Sequence, residues 1–368
     1  MNLMEALLSA KLGGGPSSVT PASVASAIHD MTDEQAAQAL ADLGGAAAVD
    51  MDYTISIPPT IYLKKDTEFC LRRENVLSPT HRLRFGNYSV LTVVRSKNEY
   101  ISVTGTATGT VPMTVRVYDQ HDHQTEQGQI QLSISDTPPA SQTMLMMGDS
   151  FITQGYIEGF LRGLFTADSN TLTLIGTKGT GDNKHQGYAG WTYQDFLNAS
   201  RGVNTNPFYN PQTEAFDFNY YLASNSLAAP DSVYVQLGTN DVGAGTMETD
   251  FSQSVAAALK IVESILAQNN SIKVYIGLCV MPTYDLDLFS GSYNGIGDEF
   301  VMRANMIRFN RAIIDAITSA ELGARVRIVA NNCILDGARD YNNAVHPSAA
   351  GYQKMAEQLY YTMGGWSN

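Results

Sequence analysis

The sequence predicts an α/β fold, a three-layer domain with a parallel sheet, preceded by an antiparallel β-sandwich domain and a short helical N-terminal segment. Two changes of pattern indicate this order. Between residues 52 and 138, short runs alternate apolar and polar residues, as strands do when one face meets water. From 143 to 368, near-continuous apolar runs alternate with helical patterns, which is typical of parallel strands covered on both faces.

The first segment, residues 1–50, is rich in Ala and small polar residues and contains GGGPSS, a flexible composition. Two short helices are predicted after it. Thr20 and Pro21 fit an N-cap and a first helical position, and Thr32 and Gln35 form a capping-box pattern. Because so small a pair can hardly bury a core, we interpret it as a docking or assembly segment. A mobile leader is the alternative.

The second segment, residues 52–138, contains six strand-like runs, among them MTVRVYD and QIQLSIS. Their alternation, repeated at intervals of about ten residues, predicts the sandwich. A loop between two of the runs carries Asp119, His121, Asp122 and His123. A metal site there is one interpretation, but without a recognisable ligand spacing a solvated hairpin loop is favoured.

The third segment begins after the proline-marked linker DTPPASQ. Its apolar runs TMLMM, SVYVQLG, KVYIGLCV and VRIVAN predict strands, and helical patterns cover 251–268, 298–319 and 349–362. In open α/β sheets, ligands bind beyond the carboxyl ends of the strands. Ser150 falls at such a strand end.

Composition excludes several partners. The 368 residues carry a formal net charge of -13, so nucleic acid is not an expected partner. No apolar run approaches about 18 residues, so no membrane span or membrane partner is predicted. The three cysteines show no CxxC spacing and are interpreted as packed thiols. The N-terminus lacks a secretory pattern, so we expect cytoplasmic synthesis, with retention, packaging in a particle or release by lysis.

Four short motifs occur in order along the third segment. GDS ends in Ser150 after the first strand, HQGYAGWTY contains Gly190, VQLGTND contains Asn240, and NNAVHPSAAGY contains His346. This order resembles the SGNH (GDSL-type) hydrolase family over about residues 143–365. The resemblance implies a flavodoxin-like sheet, a Ser nucleophile and no cofactor or metal. It also implies an oxyanion hole formed by the backbone N–H groups of Ser150 and Gly190 and the side-chain amide of Asn240.

The residue chemistry is consistent with that resemblance. A serine hydroxyl is a weak nucleophile until a base takes its proton, and His346, in the loop before the last helix, is the natural base. A tetrahedral intermediate needs donors placed in advance for its oxyanion. Each residue also has a structural alternative, since Ser150 could cap a helix and Gly190 and Asn240 could be turn residues.

The family pattern breaks at Asn343, where the resemblance implies an Asp three residues before His346. An acid at that position would fix the imidazole tautomer, and its loss costs serine proteases about 10⁴-fold in turnover. Three interpretations stay open. A Ser–His dyad could work with a carbonyl oxygen of Asn343 or the backbone holding the ring, as in some SGNH-like carbohydrate esterases. Asp340 could substitute, or the site could be impaired. The dyad is favoured.

Aromatic residues surround Gly190, and two long loops, 206–221 and 281–295, are expected at the same edge. Tyr188, Trp191 and Tyr284 are therefore candidate substrate-binding residues for sugar rings, with simple packing as the alternative. The arrangement resembles that of carbohydrate acetylesterases, and residues 1–50 resemble modules of phage or prophage tail proteins. Together these imply a tail-associated deacetylase acting on an acylated surface glycan, assembled through residues 1–50, with a homo-oligomer also possible.

Two functions remain open at this stage. The first is a serine esterase that removes small acyl groups, acetyl above all, from carbohydrate. The second is a non-catalytic glycan-binding or structural protein on a degenerate scaffold, an alternative that Asn343 keeps open. A metal-dependent deacetylase is the least favoured, because no His and Asp ligand set accompanies the motifs.

Overall fold

The structure, a computed structural model, describes residues 55–77, 82–86, 92–96, 100–118, 124–243, 245–293 and 298–365. Two sequence-based predictions lie outside these residues. They are the assembly segment at 1–50 and the polar loop at 119–123. Both stay predictions.

The N-terminal part contains two sheets. One has the strand order β1-β7-β6-β3 and the other has the order β2-β5-β4. All pairs are antiparallel except β1 with β7, which run parallel, so the fully antiparallel expectation was wrong for this pair. The strands are β1 (Thr60–Lys64), β2 (Glu68–Arg72), β3 (Arg82–Gly86), β4 (Thr92–Ser96), β5 (Tyr100–Gly105), β6 (Gly109–Tyr118) and β7 (Gln124–Ser135).

The C-terminal part is built on a wholly parallel sheet, as predicted. Its order is β10-β8-β15-β16-β17. Strand β9 lies on the same side of β8 as β10, because β9 pairs with the first half of β8 and β10 pairs with its end. This is the flavodoxin-like order, whose switch point lies between β8 and β15. The strands are β8 (Gln142–Gly148), β9 (Leu172–Ile175), β10 (Gln186–Gly187), β15 (Ser232–Gln236), β16 (Lys273–Gly277) and β17 (Val326–Val329).

Two short hairpins precede the sheet's second half, and the helices form its outer layers. The hairpin strands are β11 (Ser200–Arg201), β12 (Asn204–Thr205), β13 (Tyr209–Asn210) and β14 (Ala215–Phe216). The helices are α1 (Ser150–Thr153), α2 (Tyr156–Ala167), α3 (Phe218–Ser224), α4 (Thr239–Val242), α5 (Ser252–Gln268), α6 (Leu286–Tyr293), α7 (Glu299–Ser319) and α8 (Ala349–Met363). None of the helices in the described residues is long and apolar enough to cross a membrane.

Hydrophobic clusters lie on both faces of the parallel sheet. One cluster joins the sheet to the apolar faces of α5 and α7, and the other joins it to α2 and α8. The predicted insertion loop 206–221 belongs to the first cluster, because Phe208, Phe216 and Phe218 stack against one another there. Much of this loop is therefore packed structure that fixes the edge of the sheet.

The second cluster also contains the buried side chains of the N-terminal sheets, so the two parts share one core. Polar contacts cross the same junction. Gln358 of α8 donates to the carbonyl oxygen of Tyr62 at 3.1 Å, and Asn332 donates to that of Ser56 at 2.5 Å. The sheets of the N-terminal part thus pack directly on the layer that contains α8.

Candidate active site

Ser150 lies where the first parallel strand turns into a helix. The turn is tight, because a Cβ on Gly148 would collide with the carbonyl oxygen of Gln236 in the neighbouring strand. Asp149 caps the helix by accepting a hydrogen bond from the backbone N–H of Phe151 at 3.0 Å. The N–H of Ser150, in the first helical turn, therefore has no acceptor within its own helix.

Asn240 lies at the end of the adjacent strand and is tied to two other segments. The chain reaches it through Gly238, whose φ of +112° lies in the left-handed region. Nδ2 of Asn240 donates to Oδ2 of Asp149 at 3.2 Å and to the carbonyl oxygen of Trp191 at 3.0 Å. One side-chain amide thus links the strand end that carries Ser150 with the turn that contains Gly190.

Gly190 occupies a turn that is fixed on the same strand end. The N–H of Tyr188 donates to the carbonyl oxygen of Gly148 at 2.8 Å, and the N–H of Trp191 donates to that of Tyr188 at 3.1 Å. Gly190 has a φ of +79°, which favours glycine. Among the described residues, none accepts a hydrogen bond from its N–H. The three predicted oxyanion donors are therefore brought together around one strand end.

His346 completes the predicted pair. Its Nε2 lies 2.7 Å from Oγ of Ser150, although the two residues are 196 positions apart in sequence. The ring is half-buried, and this burial lowers its pKa below the ordinary value. A neutral imidazole is therefore the dominant form near neutral pH.

The loop that holds His346 is a small hairpin-like turn. The N–H of Ser348 donates to the carbonyl oxygen of Asp340 at 2.7 Å, and that of Asn342 donates to the carbonyl oxygen of His346 at 3.0 Å. The hydroxyl of Tyr341 donates to the carbonyl oxygen of Met281, which ties the loop to the segment after β16. His346 thus has a defined position relative to Ser150.

Asn343 contacts the other ring nitrogen through its nitrogen and not through its oxygen. Its Nδ2 lies 3.2 Å from Nδ1 of His346. Its Oδ1 accepts from the backbone N–H groups of Val345, at 3.1 Å, and His346, at 2.9 Å. The favoured dyad interpretation placed a carbonyl oxygen on the ring, either that of Asn343 or one of the backbone. The side-chain oxygen of Asn343 does not contact the ring, because it accepts from these two N–H groups.

Asp340, the candidate substitute, is engaged away from the ring. Its Oδ2 accepts from the backbone N–H of Asp336 at 2.7 Å and from Nζ of Lys354 at 2.6 Å. None of its hydrogen bonds in the described part of the chain reaches His346.

Two acids that the sequence analysis did not single out support the site. Asp149 is buried, and this burial raises its pKa to about 7, with a further increase from the charge of Asp241. Burial likewise raises the pKa of Asp241 to about 6, and its carboxylate accepts from the N–H of Tyr193 at 3.2 Å. These carboxyl groups position Asn240 and the 190–193 turn. Their sequence signal is an acid directly beside each predicted site residue in GDS and GTND.

The predicted aromatic residues lie in packed surroundings. Trp191 is 1% exposed and stacks on Tyr188 with ring centroids 4.1 Å apart, while Nζ of Lys178 covers the Tyr188 ring at 3.7 Å. The hydroxyl of Tyr284 donates to Oδ1 of Asn75 at 2.6 Å, at the junction with the N-terminal part. The rings of Tyr188 and Trp191 thus support the turn that contains Gly190, and their role toward a sugar stays a prediction, as does that of Tyr284.

No group of three or more His, Cys, Asp or Glu side chains converges to hold a metal ion within the residues that the structure describes. The three cysteines Cys70, Cys279 and Cys333 are unpaired, and burial raises the pKa of each.

Several known proteins are similar to parts of this chain. A multidomain esterase from Ruminococcus flavefaciens is 24% identical over 204 residues, which are 55% of this chain and 24% of that protein, so the chain spans about a quarter of this relative. A carbohydrate esterase of family 3 from Talaromyces cellulolyticus has 18% identity and a TM-score of 0.38, covering 59% of this chain and 93% of its own.

A family-two carbohydrate esterase from Clostridium thermocellum, solved with cellohexaose, has 14% identity and a TM-score of 0.39 and covers 80% of this chain and 86% of its own. The model of the GDSL-like lipase/acylhydrolase family matches residues 146–354, which are more than half of the chain and include Ser150, Gly190, Asn240 and His346. The chain therefore belongs to the GDSL-like lipase/acylhydrolase family.

Proposed function

We propose that this protein is a serine esterase that removes small acyl groups, acetyl above all, from carbohydrate. The observation that carries the proposal is the 2.7 Å contact between Nε2 of His346 and Oγ of Ser150, at a strand end where oxyanion donors also meet. Membership in an acylhydrolase family supports ester hydrolysis as the reaction class.

The proposed reaction begins with attack of the Ser150 hydroxyl oxygen on the ester carbon while Nε2 of His346 takes the hydroxyl proton. The negative charge on the substrate oxygen is stabilised by the N–H groups of Ser150 and Gly190 and by the amide of Asn240. His346 then gives the proton to the leaving sugar oxygen. A water molecule, deprotonated by the same ring, releases the acid from the acyl-enzyme.

The side-chain amide of Asn240 is preorganised for its proposed role as an oxyanion donor. In the structure its amide already donates to Asp149 and to the carbonyl oxygen of Trp191, so it is held in place before substrate arrives. Such preorganised donors need no reorientation in the transition state. The cost is that the oxyanion has to share an amide hydrogen with one of these acceptors.

A small acyl group fits the surface better than a long lipid chain. Among the described residues, four large apolar side chains are exposed, those of Tyr156, Val203, Leu286 and Phe300. A surface that binds long lipid chains would expose a larger contiguous apolar patch. The carbohydrate portion of the proposal is supported by the resemblance to carbohydrate acetylesterases, and the tail association through residues 1–50 is part of the same proposal.

The orientation of Asn343 favours a second candidate, a non-catalytic glycan-binding or structural protein. Its Nδ2 faces the ring nitrogen from which a carboxylate would accept a hydrogen bond. Hydrolysis separates the two candidates, because a binding protein would retain glycan affinity without turnover.

The test compares release of p-nitrophenol from p-nitrophenyl acetate, and of acetate from acetylated glycans, by wild type, Ser150→Ala and the control Ser319→Ala. Ser319 is an exposed helical serine, so its substitution leaves the site unchanged. We expect Ser150→Ala to lose turnover by about 10³-fold or more and the control to keep it. Equal rates for wild type and Ser150→Ala would contradict the esterase and leave the binding protein.

A further inference from the structure

The side-chain amide of Asn343 has only one orientation that its surroundings accept. Oδ1 lies within 3.1 Å of two backbone N–H groups, those of Val345 and His346, which can only donate. Rotating the amide by 180° would place the NH₂ group against both donors and leave them unsatisfied. Nδ2 therefore faces the imidazole, 3.2 Å from Nδ1.

We propose that Asn343 is a positioning residue that holds neutral His346 with its proton on Nε2, so that the resting ring donates to Ser150 and does not accept from it. An amide NH₂ has hydrogens and no accepting lone pair, so Nδ1 of the ring has to accept from it. A neutral imidazole carries one N–H, which is then on Nε2. This inference rests on the proposed function for its kinetic consequence only.

The contact with the nucleophile then has a defined direction. Nε2–H donates to Oγ of Ser150 across 2.7 Å, and the serine hydroxyl proton points away from the ring. For Nε2 to take that proton, the ring first has to give up the proton on Nε2 and gain one on Nδ1. In that state Nδ1–H faces the NH₂ group of Asn343, donor against donor. Turnover consequently proceeds through a minor tautomer that Asn343 disfavours.

The same conflict affects the protonated ring that forms during acyl transfer. An imidazolium carries hydrogens on both nitrogens, so Nδ1–H would again face Nδ2 of Asn343. Asp340, the acid nearest in sequence, is bonded to Lys354 and the N–H of Asp336. The imidazolium is therefore left without the acceptor that an acid at 343 would supply.

Asn343→Asp is the substitution that tests this inference. An aspartate has nearly the same shape and keeps an oxygen for the two backbone donors, but it presents a second oxygen to Nδ1 in place of the NH₂ group. The ring should then carry its proton on Nδ1, with Nε2 free to accept from Ser150. Ala350→Asp is the control, because it adds the same charge four residues after His346, at an exposed alanine in the first turn of α8.

The primary measurement is ¹⁵N NMR of histidine-labelled full-length protein at a pH where the ring is neutral, with His346→Gln used to assign the resonances. In wild type and in Ala350→Asp we expect a protonated Nε2 and an unprotonated Nδ1. In Asn343→Asp we expect the reverse. The value of kcat/KM for p-nitrophenyl acetate should then rise with Asn343→Asp by about 10²-fold to 10⁴-fold, the upper value being the size of the opposite change in serine proteases. In Ala350→Asp it should stay near that of wild type.

The outcomes separate the inference from the proposed function. A wild-type ring protonated on Nδ1 overturns the inference, and that result does not depend on Asn343→Asp folding. A reversed tautomer without faster hydrolysis overturns the claim that the tautomer limits turnover. If the tautomers are as expected but neither wild type nor Asn343→Asp hydrolyses any ester above the Ser150→Ala background, the positioning role stands and the esterase fails.

Discussion

The two halves of the site are built in different ways. The nucleophile half, with Ser150, Gly190 and Asn240, is fixed by the ends of β8 and β15 and by the buried carboxyl group of Asp149. The base half, with His346, is fixed by a short loop whose geometry depends on the side-chain amide of Asn343. In the proposed reaction the groups of the nucleophile half are oriented for acyl transfer, whereas in the base half Nδ1 of the ring faces a donor.

This difference shows which features of an active site tolerate substitution. The end of a strand fixes the position of its backbone groups, so the N–H of Ser150 depends little on neighbouring side chains, whereas the amide of Asn240 is held by Asp149. A tautomer depends on a single oxygen-to-nitrogen exchange in one side chain. The donors of the nucleophile half can therefore be in place while the ring of the base half is held in the tautomer that disfavours proton transfer.

After Ser150→Ala, the largest effect on the nucleophile half is expected from Asn240→Ala. Removal of an oxyanion donor should lower kcat by about 10²-fold to 10³-fold with little change in KM, because the lost contact is made mainly in the transition state. Steady-state kinetics on p-nitrophenyl acetate measures this, with the exposed Ser319→Ala as the control. An unchanged kcat in Asn240→Ala would show that this residue is not an oxyanion donor. The nucleophile half would then, like the base half, lack a group that the proposed reaction needs.

An intermediate effect concerns an acid buried in α2, in the layer on one face of the sheet. Glu158 is fully buried, neither carboxyl oxygen has a side-chain partner among the described residues, and burial raises its pKa to about 8. The folded state therefore keeps a proton that the unfolded state releases above its ordinary pKa of 4.5. The free energy of unfolding should fall as pH rises from about 4.5 to about 8.

Glu158→Gln should reduce that slope, the remainder coming from the raised pKa values of Asp149 and Asp241, and should stabilise the protein at pH 8 by on the order of 3 kcal/mol relative to wild type. Urea unfolding at several pH values measures it, and at pH 4 the two proteins should be similar. If the free energy of unfolding of the variant has the same pH slope as that of wild type, Glu158 does not contribute to that slope.

The smallest effect is expected from Asp340→Asn in the base half. Its carboxylate is bonded to Lys354 and to a backbone N–H, so the substitution should cost about 1 kcal/mol of unfolding free energy and leave kcat within about twofold. Thermal unfolding and kinetics measure the two quantities. A hundredfold loss of turnover in a folded variant would instead make Asp340 the acid of the site.

Much of the fold and half of the site could be predicted from the sequence. Continuous apolar runs predicted the parallel strands, and the strand ends then placed Ser150 and Asn240 at one edge. The parallel pairing of β1 with β7 could not be predicted, because alternation of apolar residues shows which face is buried and not which strand is the neighbour. The orientation of the Asn343 side-chain amide could not be predicted either, because it depends on two backbone N–H groups of its own loop.

The shared core has a consequence for experiments on isolated parts of this protein. Helix α8 begins three residues after His346, and one of its faces packs on β1, with Gln358 donating to the carbonyl oxygen of Tyr62. A truncated chain starting at the linker would leave this face of α8 exposed to water, so it should aggregate or lose the alignment of the imidazole. Fragments intended for assay are therefore best cut before residue 55.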